Sequence, residues 1–414
     1  MIKLSVVADD LTGSLDTGVQ FAKRGIYTKV YIQRWIGNID NEVTVLDTET
    51  RHLPSRDAYL KSLFLLKSLE YTNYIYKKTD STLRGNIGVE LKAMIDNFNS
   101  SIFFIPAYPE QGRITKNGVQ YVDGKPIAES IFAKDPLNPV RKSFIPDIIR
   151  EQADIKTFVV TKDKYESVLN DHLELGVYIF DGETREDLDR IGGLLKERNL
   201  LKYTAGSAGF AQTLTRLIDF KSKLDPLEIS LKAQPLILIC GSINEKSLQQ
   251  IEYIKKQRKV LDIVLSPEEI FKKKRFFPKI SDLKNCEIVV VRTVEKPSEI
   301  KIYEEYARAN SIKIEDLPLI VTKRLGEIAQ RLLIRTRQNT LLAFGGDTFS
   351  SIVNRLHITS LIPLLEIDKG VVLSTIEERL LFFITKAGGF GDEDIIEKIL
   401  VLIKNRNLDL SMRD

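Results

Sequence analysis

Cysteine, histidine and tryptophan are scarce in this 414-residue chain, and each scarcity removes a class of chemistry. The two cysteines, Cys240 and Cys286, lie far apart and form no CxxC pair, which excludes a disulfide framework and a thiolate zinc site. The three histidines, His52, His172 and His357, do not cluster at metal-ligand spacing and offer no His-based dyad. A surplus of one charge is missing too. With 61 Lys and Arg against 57 Asp and Glu, the net charge of +4 is too small a field to recruit nucleic acid or a membrane surface. No stretch reaches the roughly 18 apolar residues of a membrane span, and the opening MIKLSVVADD holds too short an apolar run for a signal peptide. The expected location is the cytoplasm, with neither nucleic acid nor membrane as partner. Also absent are GxGxxG and GxxxxGK[ST], so a standard dinucleotide binder and a P-loop enzyme are disfavoured.

What is present is an α/β rhythm. Short apolar runs such as KLSVVA, TKVYI, VTVLD, YIYKK, SIFFIPA, TFVVT, VYIFD and KYTA read as strands buried on both faces. Amphipathic helices are expected between them at Leu15–Arg24, Ser55–Leu69, Ile87–Phe98, Tyr165–Leu173, Asp187–Arg198 and Ala208–Ile218. The stretch from Pro109 to Pro146 breaks the rhythm with KNGVQYVDGKP, whose two Gly-containing turns predict a hairpin excursion beside the sheet. Residues 220–234 are charged and contain Pro226, and the linker is expected there. A second series of strands and helices follows. The fold class expected is therefore α/β, with two Rossmann-like three-layer domains, 1–225 and 234–414, on mostly parallel sheets.

Ligands of such sheets bind outside the carboxyl ends of the strands, where loops converge and helix amides point outward. The first strand ends in Asp9 and Asp10, the third delivers Asp47 and Arg51, and the fourth delivers Lys77, Lys78 and Asp80, with Arg84 close behind. One Asp after a strand is often only the N-cap of the next helix, but capping does not call for Lys78, Arg84 and Arg51 near the same edge. Acids that accept from hydroxyls, beside cations that suit a carboxylate or phosphate, fit a small hydroxylated acid. The second half offers CGSINEKS, FGGDTFSS and TKAGGFGDED, three turns whose small residues expose backbone amides to a polyphosphate.

In order along nearly the whole chain, ADDLTGSLDTG (8–18), DTETR (47–51), KKTDSTLRGN (77–86), PAYPEQGRITKNGVQYVDGKPI (106–127), GSAGFA (206–211), GSIN (241–244), GGDT (345–348) and TKAGGFG (385–391) resemble the four-carbon acid sugar kinases. The resemblance implies an N-terminal domain that binds a threonate, erythronate or 3-oxo-tetronate and a C-terminal domain that binds ATP, with phosphorylation of a hydroxyl, most simply the terminal one. It carries substrate contacts onto Asp9 or Asp10, Arg51, Lys78, Thr79, Asp80 and Ser81, to which the strand-end reading adds Arg84. Nucleotide contacts fall on Ser242, on Gly345, Gly346, Asp347 and Thr348, and on Gly388. GSLDTG stands where GANDTG is more usual, and GSIN where a second serine is common. Phosphoryl transfer normally uses Mg²⁺, whose ligands are not legible here, and a carboxylate base, for which Asp10 and Asp80 are the candidates and Asp392 the reserve. Asp10, Arg51 and Lys78 are expected around one cleft facing the glycine turns. The assembly considered is a homodimer. A non-catalytic sensor of sugar acid or nucleotide, and less so a nucleotide-cofactor oxidoreductase, are the alternatives. Trp35 and Cys240 read as packing residues, His52 as a polar surface residue, and KKKRFF at 272–277 as a solvated face.

Overall fold

A computed structural model describes residues 2–32, 41–135, 138–170, 172–221, 231, 235–272, 278–378 and 380–404. Trp35, most of the expected linker and residues 273–277 of the basic run lie outside these ranges. The chain divides into two compact units, Met1–Leu224 and Asp225–Asp414.

In the N-terminal unit the strands are β1 (Leu4–Ala8), β2 (Thr28–Ile32), β3 (Val43–Asp47), β4 (Tyr74–Lys78), β5 (Ile102–Ile105), β6 (Arg113–Lys116), β7 (Val119–Val122), β8 (Lys125–Pro126), β9 (Thr157–Val160), β10 (Val177–Phe180) and β11 (Tyr203–Gly206). Its helices are α1 (Leu11–Ala22), α2 (Ser55–Lys67), α3 (Ile87–Phe98), α4 (Ile145–Gln152), α5 (Tyr165–Asn170), α6 (Arg185–Glu197) and α7 (Ala208–Leu217). The main sheet runs β2-β3-β1-β4-β11-β5-β10-β9 and every pairing is parallel. Strands β1 and β3 are buried along their whole length, as two-sided cover by helices requires. Side chains such as Val6, Val45 and Phe104 are fully enclosed, each contributing about 1.5–3 kcal/mol by leaving water. One helix group joins α1 to α7 and α7 to α6, and the other joins α2 to α3 and α3 to α4.

The chain runs from β1 out to β2, returns to β3, and then crosses to β4 on the other side of β1. That reversal opens a crevice at the carboxyl ends of β3, β1 and β4. Register aligns the tips there: Ala8 lies beside Asp47 and Lys78, and Lys78 beside Gly206. Helix α1 begins at Leu11, four residues before the expected start, because the Asp10 carboxylate accepts from the Gly13 amide and caps it.

The excursion is an antiparallel sheet of β6, β7 and β8. Its turns, Asn117-Gly118 and Asp123-Gly124, have positive φ at all four residues, the geometry that lets two-residue hairpin loops follow strand twist. The Asp181 carboxylate, just past β10, accepts from the Asn117 and Gly118 amides at 2.7 and 2.9 Å. Helix α4, which closes this segment, has no counterpart in the sequence reading.

The C-terminal unit contains β12 (Leu236–Cys240), β13 (Val260–Val264), β14 (Ile288–Arg292), β15 (Thr340–Phe344), β16 (Ser360–Asp368), β17 (Val371–Thr375) and β18 (Phe382–Lys386). Its helices are α8 (Glu245–Gln257), α9 (Pro267–Phe271), α10 (Ile280–Lys284), α11 (Ile300–Ala309), α12 (Leu317–Thr336), α13 (Gly346–Arg355) and α14 (Ile395–Lys404). The order is β13-β14-β12-β15-β18-β17-β16, parallel from β13 to β18 and antiparallel through β17 and β16. Strand β16 escapes the sequence pattern because Pro363 interrupts it. The register shifts between Pro363 and Leu365, an irregularity of the kind in which a strand tolerates proline. Helix α8 packs with α14, and α12 with α13. No helix among the described residues is long and apolar enough to cross a membrane.

Candidate functional site

The carboxyl edge of the N-terminal sheet gathers charge. Arg51 donates from Nε and Nη2 to the two oxygens of Asp9 at 2.7 and 3.0 Å, and from Nη1 and Nη2 to those of Asp10 at 2.7 and 2.8 Å. A planar guanidinium meets two carboxylates bidentately in this way, whereas lysine could not. Asp10 also accepts from the Thr12 hydroxyl at 2.9 Å, so it serves as helix cap and as ion-pair partner together. Burial works against ionisation of Asp9, but Arg51, Lys77 and Lys78 outweigh it and hold its carboxyl below the ordinary value. Lys78 reaches the same place: a Cβ at Gly13 would lie 2.4 Å from Asp10 Oδ1 and 3.1 Å from Lys78 Nζ. Any side chain there would push the Asp10 carboxylate aside. Asp10, Arg51 and Lys78 therefore share one site.

Behind this cluster Lys77 is fully buried and paired with Glu90 of α3 at 3.1 Å, while the Thr50 hydroxyl donates to the other Glu90 oxygen. Asp80 accepts from Arg84 Nε at 2.6 Å and from the Thr82 hydroxyl. Arg84 continues to Asp135 at 3.1 Å. Burial raises the Asp80 carboxyl, yet Arg84 and Arg51 overcome it and drive the group far below the usual carboxylate range. The Thr79 amide donates to Gly206, and the Ser81 carbonyl accepts from Gln120 of the hairpin sheet at 3.0 Å.

Among the described residues, Asp47 Oδ2 and Thr79 Oγ1 at this edge are buried without a hydrogen-bond partner. Burial, with Glu49 and Asp10 nearby, pushes the Asp47 carboxyl well above its ordinary value. Glu90, Asp135 and Arg113 are additions that the sequence reading did not single out. The Arg113 guanidinium is lowered by burial and lies in the field of Asp123, Asp80 and Asp16. His52 is exposed, with Nδ1 at 2.6 Å from the Asn138 amide nitrogen.

In the C-terminal unit the three glycine turns converge on Ser242. A Cβ at Gly345 would stand 3.6 Å from Ser242 Cβ, and one at Gly388 would stand 3.4 Å from Ser242 Oγ. One at Gly241 would strike Thr348 Oγ1 at 2.2 Å. Gly345 has φ 101°, which favours glycine, and α13 starts directly after it with no side-chain cap. The first turn of α13, at Gly346, Asp347 and Thr348, thus follows a glycine that has no side chain to cap it, and a helix start of this kind can receive phosphate oxygens. Asn244, by contrast, caps α8 by accepting from the Lys246 amide at 3.0 Å. Cys240 is buried, which raises its thiol to about 11. Asp392 is largely exposed and pairs with Lys398 at 2.9 Å.

Glu252, Asp262 and Glu295 lie close enough together to share an ion. Arg292 already supplies the positive charge, at 2.6, 2.6 and 3.2 Å from them. Lys255 adds a second cation at 2.7 Å from Asp262.

Comparison with known proteins assigns the two units separately. Residues 4–214 match the sugar-binding N-terminal domain family and residues 237–396 the nucleotide-binding C-terminal domain family. The chain is 27% identical to the D-threonate kinase of Salmonella typhimurium, covering 97% of this chain and 99% of that protein. It is 25% identical to the D-erythronate kinase of Heliobacterium modesticaldum, over 98% and 99%. With the 3-oxo-tetronate kinase of Pseudomonas savastanoi it shares 25% identity over 96% of each. The chain belongs to the four-carbon acid sugar kinase family. Its fold is that of solved family-like structures, with a TM-score of 0.71 to protein HI1011 of Haemophilus influenzae at 20% identity, over 96% of this chain and 100% of that one. A Salmonella typhimurium LT2 protein gives 0.74, also at 20% identity, over 96% and 99%. Within this family, the charged edge lies in the sugar-binding match and the Ser242 convergence in the nucleotide-binding match.

Proposed function

We propose that the protein is a kinase that transfers the γ-phosphoryl group of ATP to a hydroxyl, at the terminal carbon, of a four-carbon sugar acid in the class of D-threonate, D-erythronate and 3-oxo-tetronate, and that it works in the cytoplasm. The observation that carries this reading is the convergence of three glycine turns on Ser242 beside the uncapped start of α13, in a chain whose other half matches a sugar-binding family. The amides of Gly346, Asp347 and Thr348 and the Ser242 hydroxyl would receive phosphate oxygens, with Gly388 leaving room for the nucleotide. Mg²⁺ would accompany ATP and neutralise charge on the phosphate oxygens.

On the acid side, Lys78 would attract the substrate carboxylate or the moving phosphoryl, and Asp9, Thr79, Ser81 and Arg84 would frame the hydroxyls. The clasp formed by Asp9 and Asp10 answers the charge of Arg51 and fixes it, so its contribution is to hold that wall of the site, Asp10 included, in a constant shape. Of the two candidate bases, Asp80 is the weaker, since Arg84 and Arg51 hold it so far toward the ionised form. Asp10 is our first choice for taking the hydroxyl proton.

The test is ADP release by the purified protein over a panel of four-carbon acids, with and without Mg²⁺, followed by Asp10→Asn and Asp80→Asn. Mg²⁺-dependent turnover with one or more of these acids is expected. Asp10→Asn should lower kcat by about 10²–10⁴-fold and Asp80→Asn by less. Absence of ATP consumption with every acid would remove the proposal, and an undiminished kcat in Asp10→Asn would remove the base assignment.

A further inference from the structure

Lys386 is the last residue of β18 and is completely buried. Its ammonium distributes three N–H bonds among four acceptors: the carbonyls of Ala387, Gly388 and Phe390 at 3.2, 3.0 and 3.3 Å, and the Ser247 hydroxyl oxygen at 3.0 Å. The Ser247 hydroxyl in turn donates to Gly388 at 2.8 Å. Nζ also lies 4.4 Å from the centroid of the Phe344 ring. No carboxylate pairs with Lys386 among the described residues. The contrast with Lys77, equally buried but set 3.1 Å from Glu90, is direct. An ammonium taken from water without a counter-ion costs several kcal/mol, which makes an uncompensated lysine an unusual structural filler.

A trans peptide is planar, so a carbonyl and the amide of the next residue point in opposite directions. Carbonyls 387, 388 and 390 turn toward Nζ, and the amides of Gly388, Gly389 and Gly391 consequently turn away. None of those three amides makes a hydrogen bond among the described residues. The site of a Gly388 Cβ, 3.4 Å from Ser242 Oγ, places the turn beside the convergence described above. We propose that Lys386 is a positioning residue for nucleotide binding: its ammonium draws the carbonyls of the 387–391 turn inward, so that the amides of the turn and the positive charge behind them face the polyphosphate. This rests on the reading of the C-terminal unit as the ATP site. The polyphosphate would be the counter-charge to Lys386.

Titration supports the same geometry. Burial, opposed by Cys240 of β12 and aided by Lys246 at the start of α8, lowers the Lys386 ammonium to about 7. An arriving polyphosphate stabilises the charged form, so binding draws a proton and weakens as the empty protein loses it.

Equilibrium binding of fluorescent mant-ADP to the wild type, Lys386→Met and Ser247→Ala, alongside the KM for the most active acid of the panel, tests the idea. Lys386→Met should weaken mant-ADP binding by about tenfold or more and leave the acid KM within about twofold, with Ser247→Ala showing a smaller loss of the same kind. From about pH 7.5 to 9, where the phosphates of ADP no longer titrate, wild-type affinity should fall by up to about tenfold per unit, and the Met variant should be flat. Lys386→Met that binds within about twofold of wild type overturns the inference. If that variant fails to fold, Ser247→Ala that binds mant-ADP as tightly as the wild type overturns it. A wild type that binds no mant-ADP sinks the nucleotide reading instead, which is a separate result.

Discussion

The two units answer the same problem, polarity at the carboxyl edge of a parallel sheet, with opposite materials. In the N-terminal unit the edge is furnished by side chains that satisfy one another: Arg51 with Asp9 and Asp10, Lys77 with Glu90, Arg84 with Asp80 and Asp135. In the C-terminal unit it is furnished by backbone, with glycines admitting close approach around Ser242 and one buried cation behind a turn. A set of interlocked ions holds direction, which suits a small acid whose hydroxyls must be told apart. Open amides hold charge without discriminating its bearer, which suits a phosphate chain.

Breaking the ionic side should have the largest effect. Arg51→Met leaves the buried Asp9 and the partly buried Asp10 without their partner and should cost about 3–5 kcal/mol, read by urea denaturation of the N-terminal unit. The sign with pH is fixed. Asp9 is depressed in the folded protein, so its contribution is complete above the unfolded value of about 3.9 and is lost as pH falls toward the folded value. The wild type should lose stability in that acid window, and the variant should lose less because it has no such pair.

An intermediate effect is expected from the backbone side. Gly241→Ala sets a methyl 2.2 Å from Thr348 Oγ1, a clash that should cost about 1–3 kcal/mol and weaken mant-ADP binding more than it raises the acid KM. Adding Thr348→Ala removes the struck atom and should return part of the stability. A parallel rise in the acid KM would erase the distinction between the two edges.

The smallest effect should come from Asp47→Asn. Because the Asp47 carboxyl is raised in the folded protein, the native state holds a proton that the unfolded chain releases above about 3.9, and stability declines as pH rises toward the folded value. Asn carries no such penalty, so the variant should match or exceed the wild type by up to about 1 kcal/mol at neutral pH, measured by thermal melts across the pH range.

Much of this was legible in the chain because strand ends in a parallel sheet are physically special. Asp9, Asp10, Arg51 and Lys78 could be collected from the tips of successive apolar runs, and the three glycine turns from the runs of the second half. Pairing was not legible. The string KKTD does not say that Lys77 turns inward to Glu90 while Lys78 turns toward Gly13, since adjacent strand residues take opposite faces and only the sheet order identifies what lies on each. Glu90 itself sits in VELKAM, where a single acid reads as solvated helix surface. Lys386 stood within TKAGG, but its surroundings are carbonyl oxygens, which every residue carries and no sequence pattern advertises. Strand β16 was hidden by Pro363 for a comparable reason: a register irregularity absorbs the proline, and register is set with the partner strand.

The carboxylate that grips the first hairpin turn has a chemical consequence for the ageing of the protein. Asn-Gly is the dipeptide most prone to deamidation, through attack of the glycine nitrogen on the asparagine side chain. At Asn117-Gly118 that nitrogen is committed to Asp181 at 2.9 Å and its neighbour at 2.7 Å, which ties the backbone down and keeps the nucleophile turned from its target. The loop that most resembles a weak link should therefore remain intact over long storage for as long as the fold holds.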